Sequence, residues 1–364
     1  MIVIYFLITI TILSVAVIIS LQLYQYNRRR QERQLQKSTE AWEAYFDTLF
    51  KKGSKEFLIM DYSHFKLLES SSELMAFVKA ADNSLRVEDP NKELKFIRFI
   101  EDNKSNWVKL AQLYSQKNVV SKAYFAYVCE RFRLNTTGSY DELTEFMMEY
   151  ALDPSIYCRE NALKALYAFG NSSAISDTFK ALSEKGVSHN KKLLTDGLIG
   201  FQGNSQELAT SLYKNLDTFG PTFQVASIDF FRHSAAHLKH DLIHLIKEDD
   251  KNKDFTCSIL RYYQKYPVQE YKPILIKYLN SSNEYRWECA ATAATTLAHY
   301  PGTDTLHALK KGLHSKQWYV RLNSARSIAS LQIDQSNLED VLQGKDFYAK
   351  EQLVYHFTSF REKV

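Results

Sequence analysis

The chain has 364 residues, 24% charged and 45% hydrophobic, with a formal net charge of +4. This is too apolar for a disordered chain and too charged for a multi-span membrane protein. Eleven glycines and six prolines disfavour Gly-rich phosphate loops and turn-dense β-architectures, whereas 23 tyrosines and 22 phenylalanines suffice for a large core.

The chain opens on Ile2 to Tyr24, 23 residues without a charge. A helix of that length covers about 34 Å, enough for the hydrocarbon core of a bilayer. The run is too long for a secretory signal. No Lys or Arg precedes it and no A-x-A-like cleavage site follows. Residues 1–27 therefore read as a retained single-pass transmembrane anchor, with Tyr5, Tyr24 and Tyr26 suited to the interfaces.

Residues 28–40 form a basic juxtamembrane segment. Within it, over residues 28–37, Arg28, Arg29, Arg30, Arg33 and Lys37 stand against Glu32, a net of +4, so residues 38–364 balance to zero. The positive-inside rule then places the N-terminus outside and the remainder in the cytoplasm. A second role for the cluster is adhesion to anionic lipid, at about 1 kcal/mol per basic residue near the surface. The neutral body argues against nucleic-acid binding.

Residues 41–139 read as a helical N-terminal subdomain or as the cap of a repeat array. Residues 31–52 are expected to continue the spanning helix through Trp42, Tyr45, Phe46, Leu49 and Phe50, ending at Gly53. Further helices are expected near 63–80, 92–101 and 105–132, with a loop over Asp82–Asn91. Ser139 and Glu142 have the spacing of a capping box.

Residues 140–364 carry an internal repeat. Small or apolar residues recur at offsets +3, +4, +6 and +7 from Arg159, Trp287 and Arg321, which marks one helix face. Weaker copies start at Lys191, Gln224, Lys253 and Lys350, and an earlier one at Lys122. Amphipathic segments lie between them (175–182, 206–216, 238–246, 271–279, 304–313), joined by Gly- and Pro-marked turns. Each repeat is thus two antiparallel helices, which must stack to bury their apolar faces.

The Asp153-Pro154…Arg159…Ala162-Leu163…Ala165-Leu166 run and the Val320-Arg321…Ala325…Ile328 run resemble the HEAT-repeat family of armadillo-like α-solenoids. The resemblance implies an all-α fold, an N-terminal transmembrane helix followed by a solenoid of helical hairpins, in a membrane-anchored bacterial protein. It also implies that Asp153, Arg159 and Arg321 help to link adjacent repeats. The function it implies is macromolecular binding.

Candidate chemistry is sparse. His237, His240 and His244 would share one stripe of a helix and are the candidate ligands of a transition metal. No Cys accompanies them, and a solvated or partner-facing flank is the competing reading. Gly197, Gly200 and Gly203 lack the Lys of a phosphate loop, and no G-x-S-x-G elbow occurs. Cys129, Cys158, Cys257 and Cys289 form no C-x-x-C pair and read as buried reduced thiols. Tyr285, Arg286, Trp287, Trp318 and Tyr319 lie near the starts of successive repeat helices, the composition of a protein-binding hot spot.

The sequence thus predicts a non-enzymatic scaffold that needs no cofactor. It would hold a membrane-associated protein partner, for instance an enzyme complex that makes a cell-surface polysaccharide. A metal-dependent enzyme at the histidines and a nucleic-acid-binding solenoid are the alternatives.

Overall fold

A computed structural model describes residues 2–51, 56–86, 89–245, 252–281 and 286–361. Among these residues the chain is all-helical, with nineteen α-helices, short 3-10 turns and no strand. It divides into two compact units, Met1–Phe169 and Gly170–Val364.

The first unit starts with α1 (Ile2–Lys51), a single helix of 50 residues. It contains no Gly or Pro to break it. Every described side chain from Ile10 to Gln34 is exposed. Burial then begins at Thr39 and recurs at Trp42, Phe46 and Leu49, the i, i+3/i+4, i+7 spacing of one face. This face packs on α3 (Ser71–Leu85). Glu73 of α3 accepts from Ser38 Oγ at 2.7 Å and from Trp42 Nε1 at 3.3 Å.

Between them lies α2 (Tyr62–Leu67), capped by Asp61. Then come α4 (Pro90–Asp102), α5 (Lys104–Ser115), α6 (Val119–Arg131), α7 (Glu142–Ala151) and α8 (Ile156–Phe169). Phe46 is fully buried and meets the rings of Trp42, Phe50, Phe77, Phe96 and Phe99 at centroid separations of 5.4 to 6.4 Å. Buried Asn103 ties the non-helical segment before α2 to α4. Its Nδ2 donates to the Leu58 and Phe99 carbonyls, and its Oδ1 accepts from Met60 N at 2.8 Å.

Several local expectations change. The helix expected over 63–80 is two, because the chain turns at Leu68–Ser70, and the one over 105–132 breaks before Asn118, whose side chain caps α6. Pro90 is not in a loop but in the first turn of α4, where its missing N–H costs nothing. Gly53 lies outside the described residues. The cap of α7 is Asp141 rather than Ser139. Its carboxylate accepts from Thr144 N at 3.0 Å and pairs with Lys104 at 2.6 Å, while Ser139 Oγ only supports it.

In the second unit, α9 (Ser172–Glu184), α11 (Ser205–Lys214), α14 (Lys272–Leu279), α16 (Thr303–Leu313) and α18 (Glu339–Leu342) alternate with the helices that carry the repeat signature. Those are α10 (Lys191–Ile199), α12 (Pro221–Ser234), α13 (Lys253–Lys265), α15 (Trp287–Thr296), α17 (Trp318–Ser330) and α19 (Phe347–Arg361). Each of the first five packs on the next one in the series. Asn171, Asn190, Asn204 and Asn252 cap α9, α10, α11 and α13 with side-chain oxygens, which supports the repeated helix starts. The turns before α9 and α11 touch. Gly170 has φ +79°, and a Cβ on Gly203 would fall 2.2 Å from the Gly170 carbonyl oxygen. Close approach of backbone therefore accounts for Gly203.

Of the segment expected over 238–246, the described residues 238–245 are not an α-helix. They lie in two 3-10 turns, Ala236–Lys239 and Asp241–Leu245, with Leu238 and Leu242 buried. The reason lies in the carbonyls. Tyr262, Tyr263 and Tyr213 donate their hydroxyls to the carbonyls of Ala235, Lys239 and Asp241, at 2.6, 2.9 and 3.3 Å.

Ion pairs join residues about one repeat apart. Lys272 meets Asp304 at 2.6 Å and Lys310 meets Asp340 at 2.7 Å, and a hydrogen-bond contact at the same separation joins His314 Nδ1 to Asp346 Oδ2 at 2.8 Å. In the first unit Lys122 meets Asp153 at 3.0 Å. The Lys272 hydrogen bond holds the Asp304 carboxyl below its ordinary value, and Lys310 does the same for Asp340.

Two predictions follow from this packing. Phe46→Ala should destabilise the protein by about 3–5 kcal/mol in a denaturant melt, because the cavity opens amid five rings; Tyr26→Ala on the same helix should leave the midpoint unchanged. Asp304 and Asp340 have folded pKa values below the unfolded value of about 3.9. Their contribution is complete above that value and is lost as pH falls through the folded one. The melting temperature should therefore drop as pH goes from about 5 to about 2, and the drop should shrink in a Lys272→Met/Lys310→Met variant.

Candidate functional site

The helices α13, α15, α17 and α19 lie side by side in that order within the second unit. Three of them begin with aromatic residues: Trp287 on α15, Trp318 and Tyr319 on α17, and Phe347 and Tyr348 on α19. A helix start leaves its first side chains outside the layer formed by the helix bodies, so four of these rings are exposed, while Trp287 is half-buried. Trp318 is 49% exposed, Tyr319 54%, Phe347 67% and Tyr348 61%.

The rings are ordered by contact with one another. Trp287 stacks on Tyr319, with centroids 5.5 Å apart and planes 16° apart. Trp318 meets Tyr319 edge-on at 4.9 Å, and Phe347 meets Tyr348 edge-on at 5.9 Å. The Arg321 guanidinium, from α17, lies over the ring of Tyr348 on α19, 5.2 Å from its centroid. Its Nη1 also donates to the Ser315 carbonyl at 3.1 Å, which holds it in place for the ring.

Beside Trp287 and Tyr319 an open groove of about 360 Å³ runs from α13 to α17. Arg261 and Gln264 offer donors on one side, Asn323 lies on the other, and Glu288 offers an acceptor. Glu288 also pairs with Lys253 at 2.6 Å. The combination of stacked aromatic surface, arginine and a few fixed polar groups suits recognition of another polypeptide.

Of the residues singled out in the sequence, Trp287, Trp318 and Tyr319 are thus brought together. Arg286 occupies the position just before α15. Tyr285 lies outside the described residues. Arg321 belongs to the same surface. Asp153 receives Lys122 of α6 and accepts from Ser155 N at 2.9 Å, and Arg159 donates to the Pro154 carbonyl at 3.1 Å. These last contacts lie in the first unit.

Sequence reading missed two features. Phe347 and Tyr348 stand at the same distance before Lys350 as Trp318 and Tyr319 do before Arg321. A tyrosine two residues before the index recurs as Tyr157, Tyr285, Tyr319 and Tyr348, and this periodicity was the available signal. The second feature is the R-x-N triplet shared by the two strongest copies. Asn161 donates to the Ala123 carbonyl at 3.0 Å, and Asn323 to the Ala291 carbonyl at 2.9 Å. In each case an asparagine two residues after the index arginine bonds the backbone of the preceding signature helix.

The histidine stripe does not form. His237 and His244 sit in the two 3-10 turns and His240 between them, so the 3.6-residue periodicity that would align them is absent. His237 Nε2 lies 3.2 Å from Thr210 Oγ1. Among the described residues no group of three or more His, Cys, Asp or Glu side chains is placed to hold a metal ion.

On α1, Arg28, Arg29, Arg30, Arg33 and Lys37 are all exposed, and Arg28 pairs with Glu32 at 2.9 Å. The helix that carries them is long and apolar enough to cross a membrane. Comparison with known protein families finds no family model that matches the chain, and comparison with curated proteins finds no match.

The bonds that hold the aromatic row generate a direct test. Asn323→Ala should cost about 1 kcal/mol of stability through loss of its bond to α15. Arg321→Ala should, in addition, change the near-ultraviolet circular dichroism of the tyrosines, because Tyr348 loses the cation over its ring. An unchanged spectrum would contradict the placement of Arg321.

Proposed function

We propose that this protein is a membrane-anchored scaffold whose repeat helices form a HEAT-like α-solenoid and bind a protein partner through the aromatic row of Trp287, Trp318, Tyr319, Phe347 and Tyr348. The observation that carries this reading is the exposure of large rings at helix starts, at one-repeat spacing, on a body whose chain begins with a membrane-length apolar helix. Solvent-exposed aromatic groups that contact one another in a row are costly to leave bare and are enriched where proteins bind.

The basic cluster from Arg28 to Lys37 directs the body to the cytoplasm, by the positive-inside rule. Partner and scaffold then meet next to the bilayer. The electrically neutral body supports a protein partner over a nucleic acid.

A photo-reactive phenylalanine analogue placed at Tyr319 or Phe347 tests the reading in intact cells. A discrete adduct with a membrane-associated protein is expected, and Trp318→Ala/Tyr348→Ala should lower its yield at least tenfold while leaving the protein folded. An adduct that survives the double substitution would sink the proposal. For orientation, a reporter fused to the C-terminus should be active in the form that works only in the cytoplasm.

A further inference from the structure

Two of the four cysteines come together although they are 32 residues apart in the chain. Cys257 of α13 and Cys289 of α15 place their sulfurs 3.3 Å from each other, and both are free thiols. Their helices pack directly on one another, so the approach is set by the helix contact and not by a loop. Cys257 is 4% exposed and Cys289 0%.

We propose that Cys257 and Cys289 form an oxidisable dithiol that hydrogen peroxide converts into a disulfide linking α13 to α15. Three features of the site support this. The sulfurs need to close by only about 1 Å to reach bonding distance. Arg261, one turn on from Cys257, and Thr292, on α15, both act on the Cys257 sulfur and both line the open groove beside Trp287. Through Thr292 the groove comes within one side chain of the Cys257 sulfur. The two thiols are also unequal. The hydrogen bond from Cys289 holds the Cys257 thiol below its ordinary value, aided by the Arg261 cation, while that same contact and burial push Cys289 up. Cys257, the less buried of the two sulfurs and one helical turn from the Arg261 guanidinium, is the thiolate that attacks, and the fully buried Cys289 is the thiol that resolves.

The chemistry balances. The Cys257 thiolate attacks one peroxide oxygen, an S–O bond forms as the O–O bond breaks, and the departing hydroxide takes up the thiol proton as water. Cys289 then gives up its proton and attacks the Cys257 sulfur. The S–S bond forms, the S–O bond breaks, and the second hydroxide leaves with that proton as water. Two electrons pass from the sulfurs to the peroxide.

Cys129 and Cys158 serve as internal controls. Both are buried in the first unit, burial raises both thiols, and they make no sulfur–sulfur contact.

The test uses the full-length protein in detergent, exposed to hydrogen peroxide, then unfolded and alkylated. Four alkylated cysteines should fall to two, with a peptide that joins Cys257 to Cys289 and disappears on reduction. In Cys289→Ser, a sulfenic-acid trap should label Cys257 alone. Alkylation of all four cysteines after oxidation would overturn the proposal. So would a crosslink between copies of the chain, or trapping at Cys129 or Cys158 in place of Cys257. The unsubstituted protein reads out the disulfide directly, so the result does not depend on the folding of a variant. It is also independent of whether a partner binds the aromatic row.

Discussion

The unbroken backbone of α1 is the constraint on which the rest of the first unit depends. A helix interrupted near residue 25 would leave the apolar segment and the body as two objects joined by a flexible link. Here the hydrogen-bond ladder continues from Ile2 to Lys51, and the last turns of the same helix supply Trp42, Phe46 and Leu49 to the core. Burying those side chains stabilises the body and simultaneously fixes the direction in which the apolar segment leaves it. Thr39 is the first buried residue, 15 residues beyond Tyr24, so an exposed polar stalk of about 22 Å separates the apolar run from the core.

The second unit is held by a different principle. Its helices are short, and short helices are marginal alone. Stability comes from lateral contact between signature helices, through small side chains such as Ala290, Ala293, Ala294 and Ala325, all buried. Polar links at one-repeat separation add to it: Asn323 to Ala291, Ser327 to Ala294, Thr296 to Leu260. Each donor reaches a carbonyl of the preceding signature helix, so each link sets the register between two repeats. The ion pairs are exposed on at least one side and contribute less.

Much of this was legible in the sequence and some was not, for identifiable reasons. The starts of α15 and α17 follow from Trp287 and Arg321 because their small-residue offsets are periodic, and periodicity is a local signal. The apolar run was equally plain, being a matter of composition. The histidine segment misled because its fate is set from afar. Leu238, Leu242 and Leu245 have helical spacing, yet tyrosine hydroxyls from α11 and α13 take carbonyls along it. The capping of α7 misled for a nearer reason: Ser139 and Asp141 are both good caps, and the Lys104 ammonium favours the carboxylate. The Cys257–Cys289 contact could not be read from spacing at all, since it depends on which faces of α13 and α15 meet.

The continuity of α1 also makes residue count into an angle. Each residue of an α-helix turns the chain by about 100° and advances it about 1.5 Å. About the axis of α1, the bearing of the first unit's core relative to the apolar run is set by the number of residues between Tyr24 and Thr39. One residue more would swing that unit through more than a quarter turn. Seven more would return it almost to its original heading, about 10 Å farther from the apolar run. The stalk thus behaves as a screw thread whose length carries orientation and height together, and its polar sequence is free to vary in a way that its length is not.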